Sequence, residues 1–357
     1  MTDKMQESFA AAPKRWEVII TFAGTALIAT VAVPWYGWYH GFDGFLWVMF
    51  GLFAALNNLS ITTGYHRLWS HRTFQANIVV RALLALGGAF ALQNSVLKWA
   101  SDHRRHHRFV DDPDTDPYAA KRGFWFSHMG WMLRDYPSAP LDFSNVKDLM
   151  KDPIVRFQHR YYLRLGIALN LGIPLVIGVI HGDIVGALIL VGVLRLVVCH
   201  HTTFLINSLA HMWGTQPYSK KNTARDNPVL AVLTFGEGYH NFHHAFPGDY
   251  RNGIRWWQWD PTKWLIRALW TVGLIRDLRT TRFERIAERV AAQRNAGEVP
   301  APIARPVQEQ VGKICLQACS SVSTDERLPR RSPSSPTCAC LRTPSRFSTT
   351  QQGMANR

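Results

Sequence analysis

The chain has 357 residues, 47% of them apolar, with fourteen Trp and nineteen Phe. That length admits two soluble domains, but the apolar share points to a bilayer, and the mean hydropathy of −0.09 is modest only because long basic segments dilute the apolar ones. A formal net charge of +15 would suit nucleic acid on a soluble face; set against the hydrophobic runs it follows the positive-inside rule instead, which excludes nucleic acid as a partner.

Four segments are long and apolar enough to span a bilayer, which takes about 20 helical residues. The first covers 16–39; it has spanning length and no small-residue cleavage pattern, so it reads as a span rather than a signal peptide. The second begins at Gly44 and runs to His66. A further apolar stretch, 78–97, holds two adjacent glycines and ends near Gln93-Asn94, which suits a segment packed beside the bundle or lying at its interface. The third and fourth spans, 161–180 and 184–206, are separated only by His181-Gly182-Asp183.

The connections orient the protein. Those near His40-Gly41 and His181-Gly182-Asp183 carry no Lys or Arg, whereas the N-terminal arm, the segment from His66 to Arg160 and everything after His211 are basic. The positive-inside rule then places both termini in the cytoplasm, with a cap built from 67–160 and 212–290. In a prokaryote this would be a multi-pass protein of the inner membrane. Residues 1–295 form one membrane domain on this reading. The remainder, 296–357, is rich in Pro, Ser and Arg, a composition of disordered tails. Four of the five cysteines (Cys315, Cys319, Cys338, Cys340) fall in that tail and read as solvated thiols in a reducing compartment; Cys199 lies in the fourth span.

Nine of the fifteen histidines sit in four short stretches: His66 and His71 in GYHRLWSH, His103, His106 and His107 in DHRRHH, His211 in NSLAH, and His240, His243 and His244 in YHNFHH. In H-x-x-H-H the first ring and those at i+3 and i+4 share a helical face, so they can converge. Asn207 and His211 are likewise four apart on the extension of span four. His66 and His71 are five apart, which turns them away from each other on a regular helix; either the helix breaks near Gly64–Ser70 or the two serve different metals. Nine imidazoles exceed what one ion can use. A zinc hydrolase needs only three ligands and an open position, so the pattern fits a two-metal centre, di-iron above all, able to take electrons and activate O2. Carboxylates should orient the rings, with Asp102, Asp226 and above all Glu237 as candidates. Asn207 is a weak ligand, suited to acting through water. His200 and His201, near Arg195 in span four, are ionisable groups at a depth where such groups are costly.

At these residues the chain resembles the membrane-bound acyl-CoA Δ9 desaturases, the stearoyl-CoA desaturase family, in a bacterial form. GYHRLWSHRTF, QNSVLKWASDHRRHHRF, RGFWFSHMGWML, NSLAHMWGTQPY and GEGYHNFHHAFPGDYRNG carry the likeness, which runs from about Trp16 to Leu278. The resemblance implies an all-α membrane protein of four transmembrane helices under a cytosolic helical cap. It implies that His66, His71, His103, His106, His107, His211, His240, His243 and His244 bind two irons (Fe2+ or Fe3+), with Asn207 acting through water, and that O2 is a co-substrate. A kinked tunnel would hold a saturated C16–C18 acyl chain and receive a cis double bond at Δ9. Gln93, Asn94, Trp99 and Thr203 look like tunnel residues near the bend, and Asp102 and Arg134 like residues that meet the CoA end; Arg122 and Arg134 are basic enough to hold an anionic headgroup. Phe204 stands where animal members carry Trp, and Ser101 where they carry Arg, which leaves acyl carrier protein and acyl-lipid substrates open beside acyl-CoA. No fused haem domain follows the cap, so electrons would come from a separate ferredoxin or cytochrome b5-like protein with its reductase. Alkane or fatty-acid hydroxylases share the metal chemistry but not the GYHRLWSH and NSLAH context, and a metal transporter would need a polar path that spans one and three do not offer.

Overall fold

A computed structural model describes residue 9 and residues 11–295; the tail 296–357, with its four cysteines, lies outside the described residues. In chain order the helices that build the molecule are α1 (Trp16–Tyr39), α2 (Gly44–Ser70), α3 (Ile78–Phe90), α4 (Val96–Phe109), α5 (Phe124–His128), α6 (Pro153–His181), α7 (Ile184–His211), α8 (Pro228–Leu233), α9 (His240–Ala245), α10 (Pro261–Thr271) and α11 (Phe283–Asn295). Two short strands, β1 (Gln75–Ala76) and β2 (Ile275–Arg276), pair antiparallel. Four helices among the described residues, α1, α2, α6 and α7, are long and apolar enough to cross a membrane.

The spans are set by their caps as much as by their apolar runs. Asp43 accepts the Leu46 N–H at 3.0 Å and starts α2. Asp152 accepts the Ile154 N–H at 3.0 Å, and Pro153 follows at the first helical position, where its missing N–H costs nothing. So α6 begins eight residues before the expected Tyr161, carrying the exposed Arg156, Arg160 and Arg164 within the helix. The chain then turns back at Gly182, whose φ of 88° requires a residue without a Cβ. The two short connections meet: Tyr36 donates to Asp183 at 2.6 Å and His181 pairs with Asp43 at 2.8 Å. Both hairpin turns therefore share one end of the bundle, and the nine histidines lie at the other. Along α1, Ile20, Leu27, Val31 and Trp35 are more than half exposed, an apolar face of the kind lipid covers.

The lower part of α2 is α-helical, but Ser60–Ser70 winds more widely, with an N–H bonding five residues back as in a π-helix. The stretch 78–97 is not one helix. It divides into α3 and the start of α4, joined by a turn in which Leu92 (φ 53°) and Asn94 (φ 72°) are left-handed. Helix α3 packs between the wide turn of α2 and α6, and Gly87 and Gly88 make this close approach possible. A Cβ at Gly87 would meet Ser60 Oγ at 2.1 Å, and one at Gly88 would meet the Tyr65 ring at 2.1 Å. The start of α3 is tied to the cap, where the Asn77 N–H donates to Leu274 O at 3.1 Å beside the β1–β2 pair. One apolar core, including Tyr65, Trp69, Leu84, Val96 and Ile266, runs from α2 through α3 and α4 to α10.

Candidate metal centre

Four elements deliver the nine histidines: the wide turn of α2 (His66, with His71 just beyond), α4 (His103, His106, His107), the end of α7 (His211) and α9 (His240, His243, His244). Their donor atoms fall into two groups, each with all atoms within 4.8 Å of one another. One holds His66, His71, His103, His107 and His243; the other holds His106, His211, His240 and His244. The groups adjoin, with His107 and His244 stacked at 4.3 Å between ring centroids.

The spacing of His66 and His71 resolves in neither of the expected ways. The helix does not break, and the two rings join the same group. In the wide winding the His71 N–H donates to His66 O, five residues back, at 3.1 Å, so residues i and i+5 come to one face. Their ring centroids lie 4.9 Å apart. An α-helical period would have sent them to opposite sides.

The donor set fits a metal. Nε2 atoms face Nε2 atoms at 2.7–3.3 Å in six pairs, such as His66 with His243 at 3.0 Å and His240 with His211 at 3.1 Å. Two imidazole nitrogens about 2.1 Å from a common ion, at 90–109° to each other, would stand about 3.0–3.4 Å apart. Burial first, and then crowding by like rings, pushes His71, His103, His107, His240, His243 and His244 well below the ordinary histidine pKa. Burial thus favours the neutral form of these rings, the form that ligates.

Three of the outward nitrogens, on His66, His106 and His211, are held by nearby side chains. His66 Nδ1 lies 2.9 Å from Glu237 Oε2, and the same carboxylate takes Arg67 at 3.0 Å. Arg67, wholly buried, also pairs with Asp260 at 3.0 Å and donates to Tyr250 O at 2.8 Å. Burial works to raise the Glu237 carboxyl, but His66 and Arg67 outweigh it and hold it at about 2. His106 Nδ1 donates to Asp116 at 2.9 Å. His211 Nδ1 donates to Thr223 Oγ1 at 2.8 Å, and the threonine hydroxyl in turn donates to Asp111 Oδ1 at 2.5 Å. These partners fix the tautomer of His66, His106 and His211, so the Nε2 lone pairs of those three rings point inward.

Of the three carboxylates expected in this role, only Glu237 takes it. Asp102 is held by Lys98 at 2.7 Å, because its place directly before His103 on α4 turns it about 100° from that ring. Asp226 accepts the Phe242 N–H at 3.0 Å and braces the backbone of α9, and burial pushes its carboxyl up to about 7. Asp116, Asp111, Thr223 and Tyr118 (3.3 Å from His103 Nδ1) were not singled out in the sequence. For Asp116 the acidic run DDPDTD after the histidines was a signal; for Thr223 there was none.

Below the histidines lies a cavity of about 460 Å3. Gln93, Asn94, Trp99, Asp102, Thr203 and Phe204 all line it, together with His200 and Asn207. A small pocket of about 20 Å3, lined by residues of both histidine groups, shares Trp99, Tyr118, Thr203 and Asn207 with that cavity. It has room for about one water-sized molecule. Arg134 and Arg122 do not line the cavity. The Arg134 side chain donates to Ala12 O at 2.9 Å, tying down the N-terminal arm. Arg122 stacks over Phe126 at 3.6 Å and Phe9 at 3.9 Å. His201, exposed, bonds to His128 at 2.9 Å away from the metal groups.

Comparison with known proteins agrees with this geometry. A probable acyl-CoA desaturase of Schizosaccharomyces pombe is 46% identical over 230 residues, 64% of this chain and 48% of that protein. Acyl-CoA desaturase 1 of Saccharomyces cerevisiae is 44% identical over 262 residues, 71% of this chain and 51% of that protein. The bovine stearoyl-CoA desaturase 5 is 38% identical over 254 residues, 69% of this chain and 74% of that protein. The chain thus spans about half the length of the two yeast relatives. The family described as fatty acid desaturase matches residues 44–275, and the chain belongs to that fatty acid desaturase family.

Proposed function

We propose that the protein is an acyl-CoA Δ9 desaturase that introduces a cis double bond into a saturated C16–C18 acyl thioester. The observation that carries this reading is the contact between two groups of imidazole donors and the head of a cavity between the spans. A shared lining of Trp99, Tyr118, Thr203 and Asn207 joins the two. When bound, two irons would supply the oxidising chemistry: O2, two electrons and two protons, with the two hydrogens of adjacent methylenes, become two molecules of water and leave an alkene.

The rest of the work falls to the chain. His66, His71, His103, His107 and His243 would hold one iron, and His106, His211, His240 and His244 the other, with Asn207 reaching the second through water. Glu237, Asp116 and Thr223 keep the Nδ1 protons outward. Methylenes along a chain are chemically near-identical, so selection is a matter of position. Gln93 fixes the bend by donating to Thr203 Oγ1 at 2.9 Å, and Trp99 stacks on His103 at 4.8 Å to wall the cavity from the cap. The domain reading is 1–295 as one membrane unit with its cap in the cytoplasm, O2 as co-substrate and a separate electron donor.

Fatty acids from cells expressing the chain test this, with double-bond positions mapped by gas chromatography–mass spectrometry. The expected result is new cis-9 C16 or C18 monoenes that vanish in a His106→Ala protein. Hydroxylated chains would move the protein to the hydroxylases, and full turnover by His106→Ala would overturn the metal reading.

A further inference from the structure

Arg195 is the least expected residue in the bundle. Counted from Ile184 at about 1.5 Å per residue, it lies roughly midway through a ~30 Å hydrocarbon slab, and it is wholly buried. A charge there is costly and persists only where it is fully bonded. Its acceptors are all neutral: Nε donates to Val191 O at 3.1 Å, Nη1 to Asn57 Oδ1 at 2.8 Å and to Phe90 O at 3.1 Å, and Nη2 to Asn170 Oδ1 at 2.8 Å. The guanidinium also lies 4.1 Å over the Phe90 ring.

These bonds converge on one place, the C-terminal end of α3. A helix end presents unpaired carbonyls and a negative dipole, which would be intolerable in hydrocarbon. Here Gly87 O, Phe90 O and Ala91 O are met by side chains from spanning helices, and Ala89 O takes the Leu92 N–H at 3.1 Å. Asn57 of α2 donates to Gly87 O at 3.1 Å, Asn170 of α6 and Arg195 of α7 both donate to Phe90 O at 3.1 Å, and His200 of α7 bonds to Ala91 O at 3.0 Å. Arg195 also fixes the two asparagines by occupying both their carbonyl oxygens. Immediately after this knot comes the left-handed turn that gives the cavity Leu92, Gln93 and Asn94.

We propose that Arg195 is a positioning residue for regiochemistry. By clamping the end of α3 to three spans, it sets the depth of the Leu92–Asn94 turn and so which methylene pair of a bound chain faces the histidines. The inference rests on the desaturase reading for its product and on geometry alone for the clamp. A planar fork reaches acceptors on three helices at once, which a lysine ammonium does not. Moving the turn by about 1 Å is close to one methylene along the chain, a displacement large enough to alter reactivity by about 100-fold.

The test uses the full chain in nanodiscs, iron-loaded, as wild type, Arg195→Met and Arg195→Lys. Deuterium exchange of residues 88–95 reads the clamp without activity, and double-bond mapping reads the product. In Arg195→Met, exchange of that segment should rise at least about tenfold, equivalent to about 1.4 kcal/mol, with a smaller rise in Arg195→Lys. Misplaced monoenes should rise in the same order. A merely structural residue would lower the yield of active protein without moving the double bond; an Ile266→Val control in the cap core should move neither readout. Unchanged exchange and unchanged bond position in folded Arg195→Met would overturn the proposal. If that variant does not accumulate, Asn170→Ala removes one acceptor of Arg195 and one donor to Phe90 O, and an unchanged isomer pattern there overturns it equally. A wild type that makes no monoene would sink the desaturase reading, and the exchange readout would still decide the clamp.

Discussion

Glu237 serves three donors with one carboxylate: Oε2 accepts from His66 Nδ1 and Asn252 Nδ2, and Oε1 accepts from Arg67. Glu237→Gln keeps the shape but sets an amide N–H against one of these donors. Removing such a partner of a metal-binding imidazole costs about 10–100-fold in metal affinity. Breaking a buried ion pair adds a loss of about 3–5 kcal/mol, softened here because Asp260 still holds Arg67. The expected outcome is therefore a protein that folds but surrenders iron to a competing chelator at least about tenfold more readily. Asp226→Asn, whose side chain braces backbone only, should not shift that titration. Equal chelator curves for Glu237→Gln and wild type would show that the carboxylate does not orient His66. This residue was legible in the sequence because it lies three positions before His240. Thr223 was not, since nothing in its own stretch marks it: it reaches His211 by a loop that folds back, and meets Asp111, 112 positions earlier, only in the fold. Asp102 misled for the opposite reason, as adjacency to a ligand on a helix places a side chain on a different face.

The wide turn of α2 shows where periodicity reasoning reaches its limit. The four spans could be read from apolar runs, and α4 and α9 from i, i+3, i+4 spacing. The five-residue step from His66 to His71, however, makes sense only if the helix itself widens. Nothing in SITTGYHRLWS announces that change, because it is set by what packs outside: Gly87 and Gly88 of α3 lie against Ser60 and Tyr65. In the sequence those glycines suited a segment packed beside the bundle, and in the fold they are its contact surface. Gly88→Ala would drive a Cβ to 2.1 Å from the Tyr65 ring, and Tyr65 is wholly buried, with its hydroxyl receiving Gln158 at 2.7 Å. Overpacking of this kind costs about 1–3 kcal/mol or more, and it falls on the turn that aims His66. Gly88→Ala should lower both the melting temperature and the iron content. Gly51→Ala, on α2 with nothing within 4 Å, should be neutral or slightly stabilising by removing unfolded-state freedom. Equal melting and iron content for the two variants would rule out helix contact as the cause of the wide turn.

For the whole molecule the open quantity is orientation. Both hairpin turns meet at one end through the Tyr36–Asp183 and His181–Asp43 contacts, and their neighbourhood carries no Lys or Arg between 39 and 44 or between 181 and 184. At the other end α6 begins with exposed Arg156 and Arg160, and the cap adds exposed Arg72, Arg108, Arg267 and Arg279. Moving such charge against the membrane potential costs about 2.3 kcal/mol per charge per 100 mV, and insertion keeps Lys and Arg on the cytoplasmic side. The histidine end should therefore face the cytoplasm. Single cysteines in a background with all five native cysteines replaced can decide this, with one at exposed His40 beside the first hairpin and one at exposed Arg108 beside His107. A membrane-impermeant maleimide added outside intact cells should label His40→Cys at once and Arg108→Cys only after permeabilisation. The reverse pattern would invert the orientation and remove any route for a cytoplasmic electron donor to the histidines. Labelling of both from the same side would mean that the paired helices do not cross the bilayer, because two positions at opposite ends of one bundle cannot share an aqueous compartment if its helices span.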